Sequence, residues 1–229
     1  MSGPWQQAAV VGLRRETPSA TTIRLRPERP LGQRAGQHVI VRLTAPDGYT
    51  ASRSYSIATP PAEAPEFELT VQRLADGEVS PFLCDELLVG DTLEIRGPIG
   101  NFFAWEPGTP AVFAGGGSGV VPLMAMLRAA RRASYVDVHL VAAARQPEDL
   151  FYAAELAGHP DVTVAYSRVA GPGERPAGRL RSADLAAVPA TAELAFVCGS
   201  SGFADHAATL LMERGLSSTQ IRIERFGAT

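Results

Sequence analysis

The chain has 229 residues, a formal net charge of −3, 45% hydrophobic residues and 20% charged residues. That composition fits one large or two small folded domains and excludes a disordered chain, while the slightly acidic balance argues against nucleic-acid binding through bulk charge. The two cysteines, Cys84 and Cys198, are too few for a disulfide framework or for the four thiolates of an ordinary iron–sulfur cluster.

No Cys/His cluster has zinc spacing, so no metal site is expected. All 21 basic residues are arginine, which rules out a lysine nucleophile. The start, Met1 to Val10, lacks a basic region followed by an apolar core, so no signal peptide and a cytoplasmic location are expected. The uncharged stretch Pro107–Leu127 is long enough for a bilayer, but its glycines and prolines make it a buried strand, a turn and a helix.

In chain order, the first hundred residues predict short strands at Ala8–Arg14, Thr21–Leu25, His38–Leu43, Phe67–Arg73 and Thr92–Arg96. Asp47-Gly48 predicts a hairpin turn. Ser80–Leu88 predicts a short helix, with Ser80 as N-cap and Pro81 at the first position. Many short strands with one helix suggest an antiparallel barrel. Trp105-Glu106-Pro107-Gly108 reads as a linker between residues 1–106 and 107–229. Beyond it, strands at Pro110–Ala114, Val136–Ala143, Val162–Tyr166, Leu194–Cys198 and Ile221–Phe226 alternate with helices at Val120–Arg132, Pro147–Ala157 and Phe203–Arg214. Gly171–Gly178 reads as a Pro/Gly loop. The alternation predicts an α/β parallel sheet covered on both faces.

Four short segments carry chemistry. Arg53-Ser54-Tyr55-Ser56 ends a strand and offers a cation, an aromatic ring and small hydroxyls; alone, it reads equally well as ordinary sheet surface. Strand alternation puts residues 53 and 55 on one face and 54 and 56 on the other. Gly77-Glu78-Val79-Ser80 leads into a helix N-terminus, which favours anions, although an ordinary capped helix explains it too. Glu78 is expected to point outward, away from any phosphate. Gly117-Ser118-Gly119-Val120-Val121-Pro122, preceded by Gly115-Gly116, sits between a strand and a helix, where a phosphate-binding turn belongs. Cys198-Gly199-Ser200-Ser201-Gly202-Phe203 lies at another strand's C-terminal end; its cysteine is either a contact for a cofactor or a small buried apolar residue.

Taken in order, Arg-x-Tyr-Ser, Gly-x-x-Ser, Gly97-Pro98-Ile99-Gly100-Asn101-Phe102, Gly-x-Gly-x-x-Pro and Cys-Gly-x-x-Gly-Phe resemble the ferredoxin–NADP reductase superfamily. The ending Glu224-Arg225-Phe226-Gly227 is similar to bacterial FAD-containing reductase components without an iron–sulfur domain. The resemblance implies a six-stranded antiparallel FAD-binding β-barrel at 1–106 and an NAD(P)-binding α/β domain at 107–229. It implies that Arg53 binds the flavin pyrophosphate, Tyr55 lies along the flavin, and Ser54 and Ser56 line its site, with Ser56 near N5. Val71 to Arg73 would run past the cofactor, and Gly77, Val79 and Ser80 would hold its phosphates. Gly116, Gly117, Ser118, Gly119 and Val120 would receive the nicotinamide dinucleotide. Cys198 and Gly199 would lie near the nicotinamide, and Phe226 would cover the flavin. Ser56, Cys198 and Phe226 are thus the catalytic candidates.

The implied activity is FAD-dependent NAD(P)H oxidation, with electrons passed to a separate acceptor such as ferredoxin or an oxygenase component. A free-flavin or ferric reductase and a non-catalytic flavin-binding subunit are the alternatives. Ser167-Arg168, following a strand, resembles the pair that binds the 2′-phosphate of NADP, with Arg145 and then Arg179 as further cations. NADPH is therefore expected, with NADH use left open because Glu148 and Asp149 lie nearby.

Overall fold

A computed structural model describes residues 3–61, 65–172 and 175–227. Residues 173 and 174 of the Pro/Gly loop, and the first two residues of the expected leaderless start, lie outside these. Six strands form one antiparallel sheet: β1 (Gln6–Thr17), β2 (Ala20–Pro27), β3 (His38–Thr44), β4 (Thr50–Ser56), β5 (Phe67–Gln72) and β6 (Thr92–Ile99). Their order is β4-β3-β6-β1-β2-β5. The sheet closes on itself just past β4, where Ile57 bridges Leu69 and the Ala58 N–H donates to the Glu68 carbonyl at 2.8 Å. Val10, Ile23, Leu25, Val39, Val41, Leu69, Val71 and Ile95 fill the interior. The alternation that places them there is the period-two pattern of a strand. Each such side chain contributes about 1.5–3 kcal/mol on burial. The β3–β4 hairpin turns at Gly48, whose φ of 88° suits glycine.

The second half is a parallel sheet of β7 (Ala111–Gly116), β8 (Val138–Ala144), β9 (Val162–Tyr166), β10 (Leu194–Gly199) and β11 (Ile221–Arg225), in the order β11-β10-β7-β8-β9. Helix α1 (Val120–Arg132) packs on the face carrying Phe113, Leu140 and Phe196. Helix α3 (Ser201–Glu213) packs on the opposite face, with Val112, Ala114, Val141, Ala195 and Val197. The chain runs outward from β7 through β8 to β9, then returns to β10 on the other side of β7. The crevice at the C-terminal ends of β7 and β10 is therefore a switch point, where open α/β sheets bind ligands.

Helix α1 also closes the gap to the barrel, which explains why it is buried on nearly every side. The Arg128 guanidinium donates to the Ala58 carbonyl at 3.0 Å and forms a bidentate pair with Glu155 at 2.9 and 2.6 Å.

Two expected helices differ. The segment at Ser80–Leu88 is a single π-type turn, Phe82–Glu86, after a brief start at Ser80-Pro81. The expected helix Pro147–Ala157 is broken into a 3-10 turn at Pro147–Asp149 and a short α2 (Ala153–Leu156). Between them Tyr152 takes a left-handed conformation, φ 57° and ψ 31°. Bonds from Tyr152 to the barrel compete with, and defeat, local helix propensity there.

Candidate active site between the barrel and the parallel sheet

A cleft of about 1580 Å³ separates the two halves. Pockets for a single small molecule occupy roughly 300–1,000 Å³, so this one has room for more than that. One wall is barrel: Arg53, Ser54, Tyr55 and Ser56 of β4, Thr70 and Gln72 of β5, and the Leu74–Ser80 turn. All four β4 residues border the cleft, although strand alternation divides them between two faces; β4 ends the hydrogen-bonded order. Tyr55 packs partly into the barrel core, and burial pushes its phenol up, so it stays protonated. Ser56 is buried beside it.

The Gly77–Ser80 turn is braced from within. The Leu74 N–H donates to the Ser80 hydroxyl at 3.0 Å and the Gly77 N–H to the Leu74 carbonyl at 3.1 Å. A Cβ on Gly77 would lie 2.7 Å from the Ser80 hydroxyl and would have to displace it from its bond to Leu74. Glu78 overturns the outward placement expected of it. It lines the cleft, accepts from Arg53 at 2.8 Å and from the Tyr49 hydroxyl at 2.7 Å. Those two donors, Tyr49 first, hold its carboxyl below the ordinary glutamate range.

The other wall is built from strand ends. Gly116 ends β7, and Gly117 and Ser118 follow it; Arg145 follows β8; Ser167 follows β9; Glu224 and Arg225 end β11, and Phe226 follows it. Gly119 is packed so closely on β10 that an added Cβ would lie 2.1 Å from the Cys198 carbonyl oxygen. That contact draws the helix start against the sheet and leaves Gly117 and Ser118 facing the opening. Arg179 also lines the cleft. Its loop is pinned by Arg175, which pairs with Asp184 at 2.6 and 2.7 Å and donates to the Arg179 carbonyl at 3.0 Å.

Several expected site residues do not form part of this surface. Val71 is buried in the barrel, and Arg73 pairs with Asp85 at 2.5 Å. Gly119, Val120, Gly199 and Arg168 are not among the cleft's lining residues. Cys198 is fully buried in the α1-side core, and burial pushes its thiol up. It is therefore a neutral thiol, not a nucleophile. Phe226 sits directly over this step, with its N–H donating to the Gly199 carbonyl at 2.7 Å.

Glu224 was not among the expected site residues, though it opens the Glu-Arg-Phe-Gly ending. It lines the cleft, pairs in register with Cys198, and burial pushes its carboxyl up to about 7. A carboxyl that exchanges a proton near neutrality can hold or release one inside the cleft. The sign for stability follows. The unfolded chain loses this proton near 4.5 and the folded one near 7, so stability falls as pH rises between those values and then levels. Glu224→Gln is expected to flatten that fall, read as the difference in Tm between wild type and variant across the same range. Parallel curves would show that Glu224 titrates normally.

Residues 17–104 match a family described as the oxidoreductase FAD-binding domain. Over that segment the chain carries the FAD-binding domain of oxidoreductases, and as a whole it is similar to ferredoxin reductase-like FAD oxidoreductases. It is 32% identical over 206 residues to a glycine betaine monooxygenase reductase subunit of Pseudomonas aeruginosa, covering 85% of this chain. The chain spans 56% of that relative's length, a little over half. Among solved structures, the FAD/NAD-binding domain of a Vibrio cholerae nitric oxide dioxygenase shares the fold, with a TM-score of 0.87 and 24% identity over 97% of this chain and 99% of that one. An Amycolatopsis cytochrome P450 reductase is 27% identical with a TM-score of 0.80, covering 97% of this chain and 70% of that one.

The cleft of this flavoprotein fits the expected cofactor chemically. Arg53 supplies a cation beside a glycine turn, Tyr55 an aromatic wall, and Ser54 and Ser56 small hydroxyls. The Gly116–Ser118 turn offers a second backbone surface that only glycine-rich sequence can form. Among the described residues no cluster of His, Cys, Asp or Glu suits a metal ion. No described helix is long and apolar enough to cross a membrane.

Proposed function

We propose that the chain is an NADPH-dependent flavoprotein reductase that hands electrons to a separate acceptor protein of the ferredoxin or oxygenase-component kind. The observation that carries this is the single cleft joining the Arg53–Ser56 strand and Gly77–Ser80 turn to the strand ends of the parallel sheet. FAD held in this cleft would supply the redox chemistry, accepting hydride and releasing electrons onward. Arg53 binds the flavin pyrophosphate, Tyr55 lies against the flavin, and Ser54, Ser56, Gly77, Val79 and Ser80 complete that side. Val71 supports it from within the barrel, and Arg73 runs past it on the exposed side. Gly116 to Val120 seat the nicotinamide dinucleotide's pyrophosphate. Phe226 excludes water from the flavin face until nicotinamide arrives, and its movement exposes the Cys198-Gly199 step beneath. Ser167, Arg145 and Arg179 favour NADPH through its 2′-phosphate. Relatives named as monooxygenase reductase subunits support an oxygenase-type acceptor. We divide the chain near Glu106 into FAD-binding and nucleotide-binding parts. Two free thiols suit a reducing, cytoplasmic setting.

The test is anaerobic mixing of FAD-reconstituted protein with NADPH. Rapid bleaching of the flavin is expected, and Ser56→Ala and Cys198→Ala should slow it while FAD content holds. Protein that stays colourless with added FAD overturns the proposal.

One observation favours a second reading, a reductase of free flavin. Glu78 competes for the cation that would hold the pyrophosphate, so flavin that exchanges readily is consistent with the site. Rates with free FMN, a ferric chelate and ferredoxin separate the two.

A further inference from the structure

Four residues, through their side chains and the backbone N–H of Tyr152, close a ring of hydrogen bonds across the two halves of the molecule. The Tyr152 N–H donates to Glu16 Oε1 at 2.9 Å, and the Tyr152 hydroxyl donates to Thr70 Oγ1 at 2.6 Å. Thr70 and Thr22 hydroxyls meet at 2.8 Å, and Thr22 donates to Glu16 Oε2 at 2.9 Å. Thr22 spends its only hydrogen on Glu16, so Thr70 must donate to Thr22 and accept from Tyr152. Every donor is used once, and both arms of the ring run from Tyr152, which donates twice, to Glu16, which accepts twice. Thr22, Thr70 and Tyr152 are all buried, and burial keeps the Tyr152 phenol protonated as the donor.

Glu16, Thr22 and Thr70 belong to the barrel strands β1, β2 and β5, while Tyr152 belongs to the loop after β8. Among the described residues, the two Tyr152 bonds are the hydrogen bonds that join residues 145–153 to the barrel. The ring also reaches both walls of the cleft. Thr70 lines the barrel wall; Arg145, Asp149 and Phe151, from the loop that Tyr152 ends, line the other. Tyr152 is left-handed at φ 57°, costly for a bulky residue and kept only where its surroundings impose it. The two bonds to the barrel impose it here.

We propose that Tyr152 is a positioning residue: through Glu16 and Thr70 it sets the height and angle of the nucleotide-binding loop against the flavin-binding wall. The proposal rests on the reading above, that flavin and nicotinamide occupy those two walls. Hydride transfer needs its atoms about 3–3.5 Å apart, and a displacement of about 1 Å costs on the order of 100-fold. Apart from Arg145, the nucleotide's own contacts (Gly116 to Ser118, Ser167 and Arg179) lie outside this loop, on the parallel-sheet side, and keep their places when the ring is loosened. Loosening the ring therefore changes alignment and leaves nucleotide affinity alone.

The experiment compares wild type, Tyr152→Phe and Glu16→Gln as FAD-reconstituted proteins. Tyr152→Phe keeps the ring volume and the Arg128 guanidinium 5.0 Å over its face, and loses only the hydroxyl bond. Single-turnover reduction by NADPH should show a limiting rate lowered about tenfold or more, with the Kd for NADP⁺ changed by less than about twofold and FAD content unchanged. The long-wavelength absorbance of nicotinamide stacked on flavin should weaken in parallel. In the apoproteins, the Tyr152 amide should exchange hydrogen faster in Glu16→Gln than in wild type. The double variant should lose no more than the worse single one, since both break one ring. An unchanged limiting rate overturns the proposal, as does a rate that falls only in proportion to lost nucleotide or FAD binding. Wild-type flavin that NADPH fails to reduce overturns the functional reading itself.

Discussion

Arg53→Ala is expected to weaken FAD retention by roughly 10–150-fold, because a charge-assisted hydrogen bond to phosphate contributes about 1.5–3 kcal/mol. Equilibrium titration of apoprotein with FAD, followed by flavin fluorescence, reads this directly. Glu78 makes the prediction two-sided. In this structure Arg53 is bound to Glu78 at 2.8 Å, so pyrophosphate must compete with a carboxylate for the same guanidinium. Glu78→Gln, which keeps the Tyr49 hydroxyl supplied with an acceptor, is expected to tighten FAD binding in wild-type background and to do little in Arg53→Ala. Both side chains are about half exposed, so the ion pair is screened by solvent and the gain is smaller than the loss from Arg53→Ala. Equal FAD affinity in wild type and Arg53→Ala would remove Arg53 from the cofactor site.

Removing either cleft arginine is expected to lower kcat/KM for NADPH by about tenfold or more, a loss of about 1.4 kcal/mol of transition-state stabilisation. Arg145→Ala and Arg179→Ala are the informative variants, because both side chains line the cleft beside Ser167. Arg168, which the sequence ranks ahead of them, is not a lining residue, so Arg168→Ala is expected to cost less. NADH lacks the 2′-phosphate and should be nearly unaffected by all three. Asp149 provides the counter-case. It also lines the cleft and carries the acidic group suited to a ribose 2′-hydroxyl. A wild-type preference for NADH, or an equal fall with both nucleotides, would assign the subsite to Asp149 in place of the arginines.

The strand pattern of both halves was legible in the residues. Alternating apolar positions such as Val39 and Val41 mark a half-buried strand, and the continuous apolar run before Gly115 marks a strand covered on both faces. The Gly116–Gly119 turn and helix α1 were legible for the same kind of reason, since the close approach of Gly119 to the Cys198 carbonyl admits no side chain. Legibility stopped where one residue's conformation depends on another far along the chain. Pro147–Ala157 has a good helix start, yet it breaks at Tyr152 because Glu16 and Thr70, 136 and 82 residues away, bind its N–H and hydroxyl.

The candidate site divides in the same way. Arg53, Tyr55, Ser56 and the two glycine turns were singled out by residue type and by the order of their motifs, which carries the resemblance, and they meet in one cleft. Three features came only with the tertiary structure. Glu78 turns inward, since folding brings it to two donors, Tyr49 and Arg53, that no local pattern supplies. Glu224 becomes a near-neutral carboxyl because the cleft walls strip it of water. Arg145 and Arg179 reach the cleft while Arg168 does not. Local sequence determines which face and which turn a residue occupies, because backbone sterics and hydrophobic period act over a few residues. Which groups share a charge, a proton or a ligand is decided by distances that exist only after the barrel and the sheet have packed together.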